Sequence, residues 1–166
     1  MCGFAGFIGF KGLSINQVES ISLNMGSLIS HRGPDSSGAW HDESSQIALI
    51  HRRLSIIDLS SAGHQPMVSS SGRFVIAYNG EIYNHKEIRL NLDGKVHWKG
   101  NSDTETLLSL IELEGLTSAV KQIVGMFAFA LIDRKEQSLY LVRDRMGEKP
   151  LYYGWQKNVF LFGSEL

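Results

Sequence analysis

Short runs of alternating or continuously apolar residues, bounded by turn formers, recur along most of this 166-residue chain. They cover residues 4–10, 46–51, 53–58, 73–78, 126–132, 138–142, 151–154 and 159–162. Runs of this length and pattern read as β-strands. Helical spacing interrupts them in three places. Ile15, Val18, Ile21, Met25, Leu28 and Ile29 recur every three or four residues. Ser102-Asp103-Thr104-Glu105 has the form of a capping box opening a helix that carries Leu107, Leu108, Ile111 and Leu113 and stops at Gly115. Residues 116–124 read as a further helix. Because strands come in groups rather than alternating singly with helices, the class is α+β with largely antiparallel sheet. Residues 126–132 lack polar alternation, which predicts a sheet covered on both faces. Residues 133–137 are a polar hairpin connection between two strands.

Composition removes several function classes. Sixteen Lys and Arg against 17 Asp and Glu leave a net charge of −1, which excludes a strongly basic nucleic-acid binder. A hydrophobic content of 43% excludes a disordered chain, and a single Cys excludes an internal disulfide framework. The longest apolar stretch, residues 123–132, is about half of the ~20 residues a membrane helix needs. No basic residue precedes the first apolar run, as a secretory signal requires. The expectation is one domain over residues 1–166, in the cytoplasm, with no membrane and no nucleic-acid partner. The chain stops directly after a strand-like run, which suggests a domain taken from something longer. Histidines 31, 41, 51, 64, 85 and 97 lie too far apart for a local chelating pair, so no metal site is expected. Gly3, Gly6, Gly9 and Gly12 do not form the dinucleotide fingerprint, and no phosphate loop is present.

Chemistry concentrates in a few places. Cys2 reads either as a small packed hydrophobe or, once Met1 is removed, as a thiol and a free α-amine on one residue. An α-amine titrates near ~7.7–8.0, so it is substantially neutral at cytoplasmic pH and can assist thiolate formation without a histidine. Asn79-Gly80 reads as a hairpin turn or as an amide donor beside an unobstructed backbone N–H, the components of an oxyanion hole. His51-Arg52-Arg53 reads as a basic surface patch; Arg53, heading an apolar strand, reads also as a fold-anchored clamp for a carboxylate. Asp103 suits the first turn of a helix or the ammonium of a substrate. His31-Arg32-Gly33-Pro34-Asp35 reads as a helix stop and turn.

Taken together, Met1-Cys2-Gly3, His31-Arg32-Gly33-Pro34-Asp35, Arg53-Leu54-Ser55-Ile56-Ile57-Asp58, Asn79-Gly80-Glu81-Ile82-Tyr83-Asn84, Ser102-Asp103-Thr104-Glu105, Gly125-Met126-Phe127-Ala128-Phe129-Ala130 and residues 143–153 resemble the class II glutamine amidotransferase domain that opens glutamine-hydrolysing asparagine synthetases. The resemblance covers essentially the whole chain. It implies an N-terminal-nucleophile (Ntn) hydrolase-like four-layer sandwich, two stacked antiparallel sheets between helical layers. It implies Cys2 as the nucleophile on L-glutamine, and Asn79 and Gly80 as the oxyanion hole. It further implies Arg53 on the α-carboxylate, Glu81 and Asp103 on the α-amino group, and residues 54–57 (Leu54, Ser55, Ile56, Ile57) lining the pocket. Members of that family continue into an ATP-using synthetase domain with a Ser-Gly-Gly-x-Asp-Ser loop, which this sequence lacks. No cofactor is therefore expected here, ATP and magnesium belonging to that further region. The partners implied are glutamine, the synthetase domain and a second copy in a homodimer. A non-catalytic domain of the same fold, used for dimerisation or docking, is the alternative.

Overall fold

The computed structural model describes residues 2–166. The elements run β1 (Gly3–Ile8), α1 (Ile15–Leu28), β2 (Ser36–Asp42), β3 (Ile47–Arg53), β4 (Met67–Val68), β5 (Phe74–Ile82), α2 (His85–Asn91), α3 (Asp103–Glu114), α4 (Leu116–Gln122), β6 (Gly125–Asp133), β7 (Ser138–Arg143), β8 (Tyr152–Gln156) and β9 (Val159–Gly163). The strands form a five-stranded sheet in the order β2-β3-β1-β9-β8 and a four-stranded sheet in the order β4-β5-β6-β7. Every pairing is antiparallel.

Side-chain alternation explains the layering. Along β5 and β6, Ile76, Tyr78, Phe127, Phe129 and Leu131 pack with Leu107, Leu110 and Ile111 of α3, while Val75, Ala77, Ala128, Ala130 and Ile132 pack with Phe4, Leu49 and Phe162 of the other sheet. Both faces of β6 are thus buried, as its unbroken apolar run predicts. The outer face of the five-stranded sheet carries Phe7, Ala48 and Ile50 against Val18 of α1. Helix, sheet, sheet, helix is the four-layer sandwich expected from the sequence.

Local differences have physical causes. Residues 53–58 do not form a strand: β3 ends at Arg53, and the backbone donors that follow are taken by side chains. Leu54 N–H bonds to Cys2 Sγ and Ser55 N–H to Asp35. Asn79-Gly80 is no hairpin turn. Both lie inside β5, opposite Ala128 and Phe127, and neither has the positive φ such a turn requires. The tight connections use Gln46, Gln137 and Lys157 at positive φ instead. Strand β1 stops early because Gly9 turns to φ +99°. The capping box at 102–105 is half formed: Ser102 Oγ accepts the Glu105 N–H, but the Glu105 carboxylate accepts from the N–H groups of Lys99 and Gly100. The complete box lies at Ser14 and Gln17, opening α1. Strand β2 and helix α2 escape sequence reading, the first because Ser36-Ser37-Gly38 lacks apolar alternation, the second because it is barely two turns long.

Candidate active site

Register brings the functional residues to one end of the sandwich. Gly3 pairs with Arg52, so Cys2 and Arg53 sit at adjacent strand ends. Cys2 continues the face of β1 that carries Phe4, and Asn79 continues the face of β5 that carries Val75 and Ala77; both faces meet between the sheets. The start of α3 adds Asp103. A cavity of about 90 Å³ is lined by Cys2, Arg53, Leu54, Ile56, Ile57, Asn79, Gly80, Glu81 and Asp103, among others. Taking about 10–15 Å³ per water, it holds roughly six to nine waters, the size class of one amino acid.

Each group is held by its neighbours. Cys2 Sγ accepts the Leu54 N–H at 3.3 Å and lies 3.5 Å from the Leu54 carbonyl. Burial raises the thiol pKa, and the Leu54 N–H and the Arg53 charge only partly oppose it. Such a thiol rests protonated at neutral pH and needs a base to act. Among the described residues the sulfur bonds with Leu54 alone, and no imidazole reaches it. The α-amine of Cys2 depends on removal of Met1, which lies outside the described residues. Arg32 donates to the Cys2 carbonyl at 3.1 Å and pairs with Glu165 at 2.9 Å, so the turn at 31–35 also braces the cysteine backbone.

The Asn79 side chain is 1% exposed, and its Nδ2 has no hydrogen-bond partner among the described residues. Gly80 is next. Along β5 the Tyr78 N–H reaches Gln65 Oε1 at 2.7 Å and the Ile82 N–H reaches Asp103 Oδ2 at 3.0 Å, both on the edge away from β6. Strand N–H groups alternate in direction, so Gly80 directs its own to that edge between them. A Cβ at Gly80 would fall 2.3 Å from the Met126 carbonyl, so β6 itself demands glycine there.

The Arg53 guanidinium is buried and donates to the carbonyls of Ser60, at 2.9 Å, and Asp58. Gly63 leaves room for it; a Cβ there would lie 2.1 Å from Nη2. The loop holding those carbonyls is fixed by the Asp58 carboxylate, which accepts from Ser60 and from the Asn101 N–H. Asp103 Oδ2 also accepts the Tyr78 hydroxyl at 2.9 Å. Burial and this carboxylate raise the Tyr78 pKa well above its ordinary value, so the phenol remains a donor.

Of the residues that the resemblance assigns to the reaction or the pocket, only Ser55 is not brought to the cavity wall. Gln65, Tyr78, Thr104, Met126 and Lys149 line it without having been foreseen. Tyr78 had one usable signal, its place before Asn79, and Lys149 another, its place in the 143–153 stretch that carries the resemblance. His51 is likewise no part of a surface patch. It is fully buried, with Nε2 2.9 Å from the Tyr78 carbonyl.

Comparison with known proteins identifies the family and the fold. A family model described as a glutamine amidotransferase domain matches residues 1–166. Asparagine synthetase [glutamine-hydrolyzing] 2 of Bacillus subtilis is 39% identical over 167 residues, covering 100% of this chain and 22% of that protein. Asparagine synthetase B [glutamine-hydrolyzing] of Escherichia coli is 35% identical, covering 98% and 28%. Amidase chry2 of Gibberella zeae is 37% identical, covering 100% and 26%. The chain thus spans between 22 and 28% of the length of these relatives. Among solved structures, the glutamine phosphoribosylpyrophosphate amidotransferase from B. subtilis complexed with ADP and GMP shares the fold at a TM-score of 0.76 and 20% identity, over 99% of this chain and 42% of that one.

Proposed function

Because the chain belongs to the glutamine amidotransferase domain family, we propose that it hydrolyses L-glutamine to glutamate and ammonia through a thioester on Cys2. One observation carries this reading: an amide donor buried without a partner among the described residues, Asn79 Nδ2, shares a cavity with a thiol, Cys2 Sγ. A domain used only for docking gains nothing from that arrangement, since a buried donor left unpaired costs about 1–3 kcal/mol.

In this reading Arg53 receives the substrate α-carboxylate, and Asp103 and Glu81 receive the α-ammonium. Leu54, Ile56 and Ile57 cover the methylenes. The α-amine exposed on Cys2 by removal of Met1 takes the thiol proton as Sγ bonds to the side-chain amide carbon. The carbonyl oxygen becomes an oxyanion held by Asn79 Nδ2 and the Gly80 N–H. The amine returns its proton to the departing nitrogen, the C–N bond breaks, and ammonia leaves a thioester. Water then adds to the thioester carbon, giving up a proton through the same amine, and Sγ departs with glutamate released.

Residues 1–166 are the glutaminase domain in this reading. The ammonia passes to an ATP-dependent, asparagine synthetase-like region beyond residue 166, where the nucleotide and magnesium would act. The names of the relatives and the fraction of their length that is matched support that assignment. Among the described residues no helix is long and apolar enough to cross a membrane; a cytoplasmic site of action suits a reduced Cys2. The test is direct. Processed protein releases glutamate and ammonia from glutamine, and Cys2→Ala releases neither; equal turnover by both would reject the assignment.

A further inference from the structure

His51 stands outside the chemistry described so far, yet it is a fully buried polar side chain close to the cavity. It lies on β3 opposite Phe4 of β1, two positions from Cys2 and two from Arg53. Its imidazole crosses to the other sheet and meets the Tyr78 carbonyl at 2.9 Å. A carbonyl only accepts, so Nε2 carries the proton. Nδ1 is buried without a partner among the described residues.

The bond is well placed to matter. Tyr78 is held on three sides: its N–H by Gln65, its hydroxyl by Asp103, its carbonyl by His51. That carbonyl belongs to the same rigid peptide plane as the Asn79 N–H. Fixing the plane helps to fix the direction in which the Asn79 side chain leaves β5. Gln65 and Asp103 come from segments around the four-stranded sheet; His51 alone of the three comes from the sheet that carries Cys2.

We propose that His51 is a positioning residue, a cross-sheet strut that sets the separation between Cys2 and the oxyanion donors Asn79 and Gly80. The inference rests on the glutaminase reading above. Displacement of a reacting group by about 1 Å can cost on the order of 10²-fold in rate. The strut acts on the transition state because the donors it aims matter most there, and leaves the grip on the α-carboxylate and α-ammonium unchanged.

The experiment compares His51→Leu, which removes the donor, with His51→Gln, whose amide can reach the same carbonyl, in processed protein. For His51→Leu the expected result is a kcat for glutamine lower by about 10- to 100-fold with KM within about twofold. Alkylation of Cys2 by iodoacetamide, a displacement at saturated carbon that needs no oxyanion donor, proceeds at the wild-type rate. His51→Gln recovers most of kcat. The side-chain amide resonances of Asn79 move in the Leu variant and return in the Gln variant. Wild-type kcat in His51→Leu, equal losses in turnover and alkylation, or unmoved Asn79 resonances would each overturn the proposal. Absence of glutamine turnover in the wild type would instead reject the glutaminase reading, and the Asn79 resonances would still decide whether His51 aims that side chain.

Discussion

Asn79 shows how a single residue reveals its role through what it lacks. Its amide donor is buried without a partner among the described residues, which works against stability by about 1–3 kcal/mol, and what distinguishes it is its place on the wall of the cavity that holds Cys2. Asn79→Ala is therefore expected to lower kcat by about 10²–10³ while the melting temperature stays within a few degrees of wild type; parallel rate and calorimetric measurements check that separation. At this scale the sequence was informative about identity and poor about surroundings. Cys2, Arg53, Asn79, Gly80 and Asp103 each carry a chemical and a bland reading in the sequence, and the family resemblance is what selects the chemical one. That Arg53 would be held by the carbonyls of Ser60 and Asp58, or Asp103 by Tyr78 and Ile82, depends on pairings between residues distant in sequence, which no local pattern encodes.

Elements place those residues by where they end. Strand β3 stops at Arg53 because Cys2 Sγ and Asp35 take the next backbone donors, and β5 runs on through Asn79-Gly80 because β6 is long enough to pair with it. Both departures from the sequence pattern occur at the cavity. Local propensity favours a turn at Asn-Gly and a strand at 53–58; the tertiary structure overrides both, and the override creates the site. Helix α3 shows the opposite case, since its start at Ser102 and stop at Gly115 are both legible. Ser102 Oγ accepts the Glu105 N–H and sets the first turn, from which Asp103 projects. Ser102→Ala should cost about 1 kcal/mol in urea or guanidinium unfolding. Because the same turn aims Asp103, it should also raise KM for glutamine, which steady-state kinetics would report.

The molecule as a whole is held by three apolar layers, and its pH response follows from the polar groups enclosed with them. Burial depresses the His51 pKa to about 4, against its ordinary 6.5, with the charges of His64 and Arg53 acting the same way and the bond to Tyr78 opposing. The unfolded chain then binds a proton that the native state refuses. Stability from this group is full above about pH 6.5 and falls as pH drops from there toward 4. Thermal melts across that window should show the decline, and His51→Gln, which cannot titrate, should flatten it. Glu112 acts lower on the scale. Burial alone would raise its carboxyl, but the hydroxyls of Ser70, Ser71 and Ser69 outweigh it and bring it down to about 2. Its contribution persists above about pH 4.5 and is lost toward 2. The four-layer architecture, with its two stacked sheets, was legible from strand grouping together with the family resemblance, whereas the placing of His51 between those sheets rests on contacts that only the folded chain brings together.

The central claim is that one residue supplies both nucleophile and base once Met1 is gone. Two preparations, one verified by intact mass to begin at Cys2 and the other keeping Met1, should be assayed side by side for glutamate release from glutamine. Turnover confined to the form that begins at Cys2 is the expected result. Equal rates from the form that keeps Met1, whose Cys2 nitrogen is locked in a peptide bond, would contradict it.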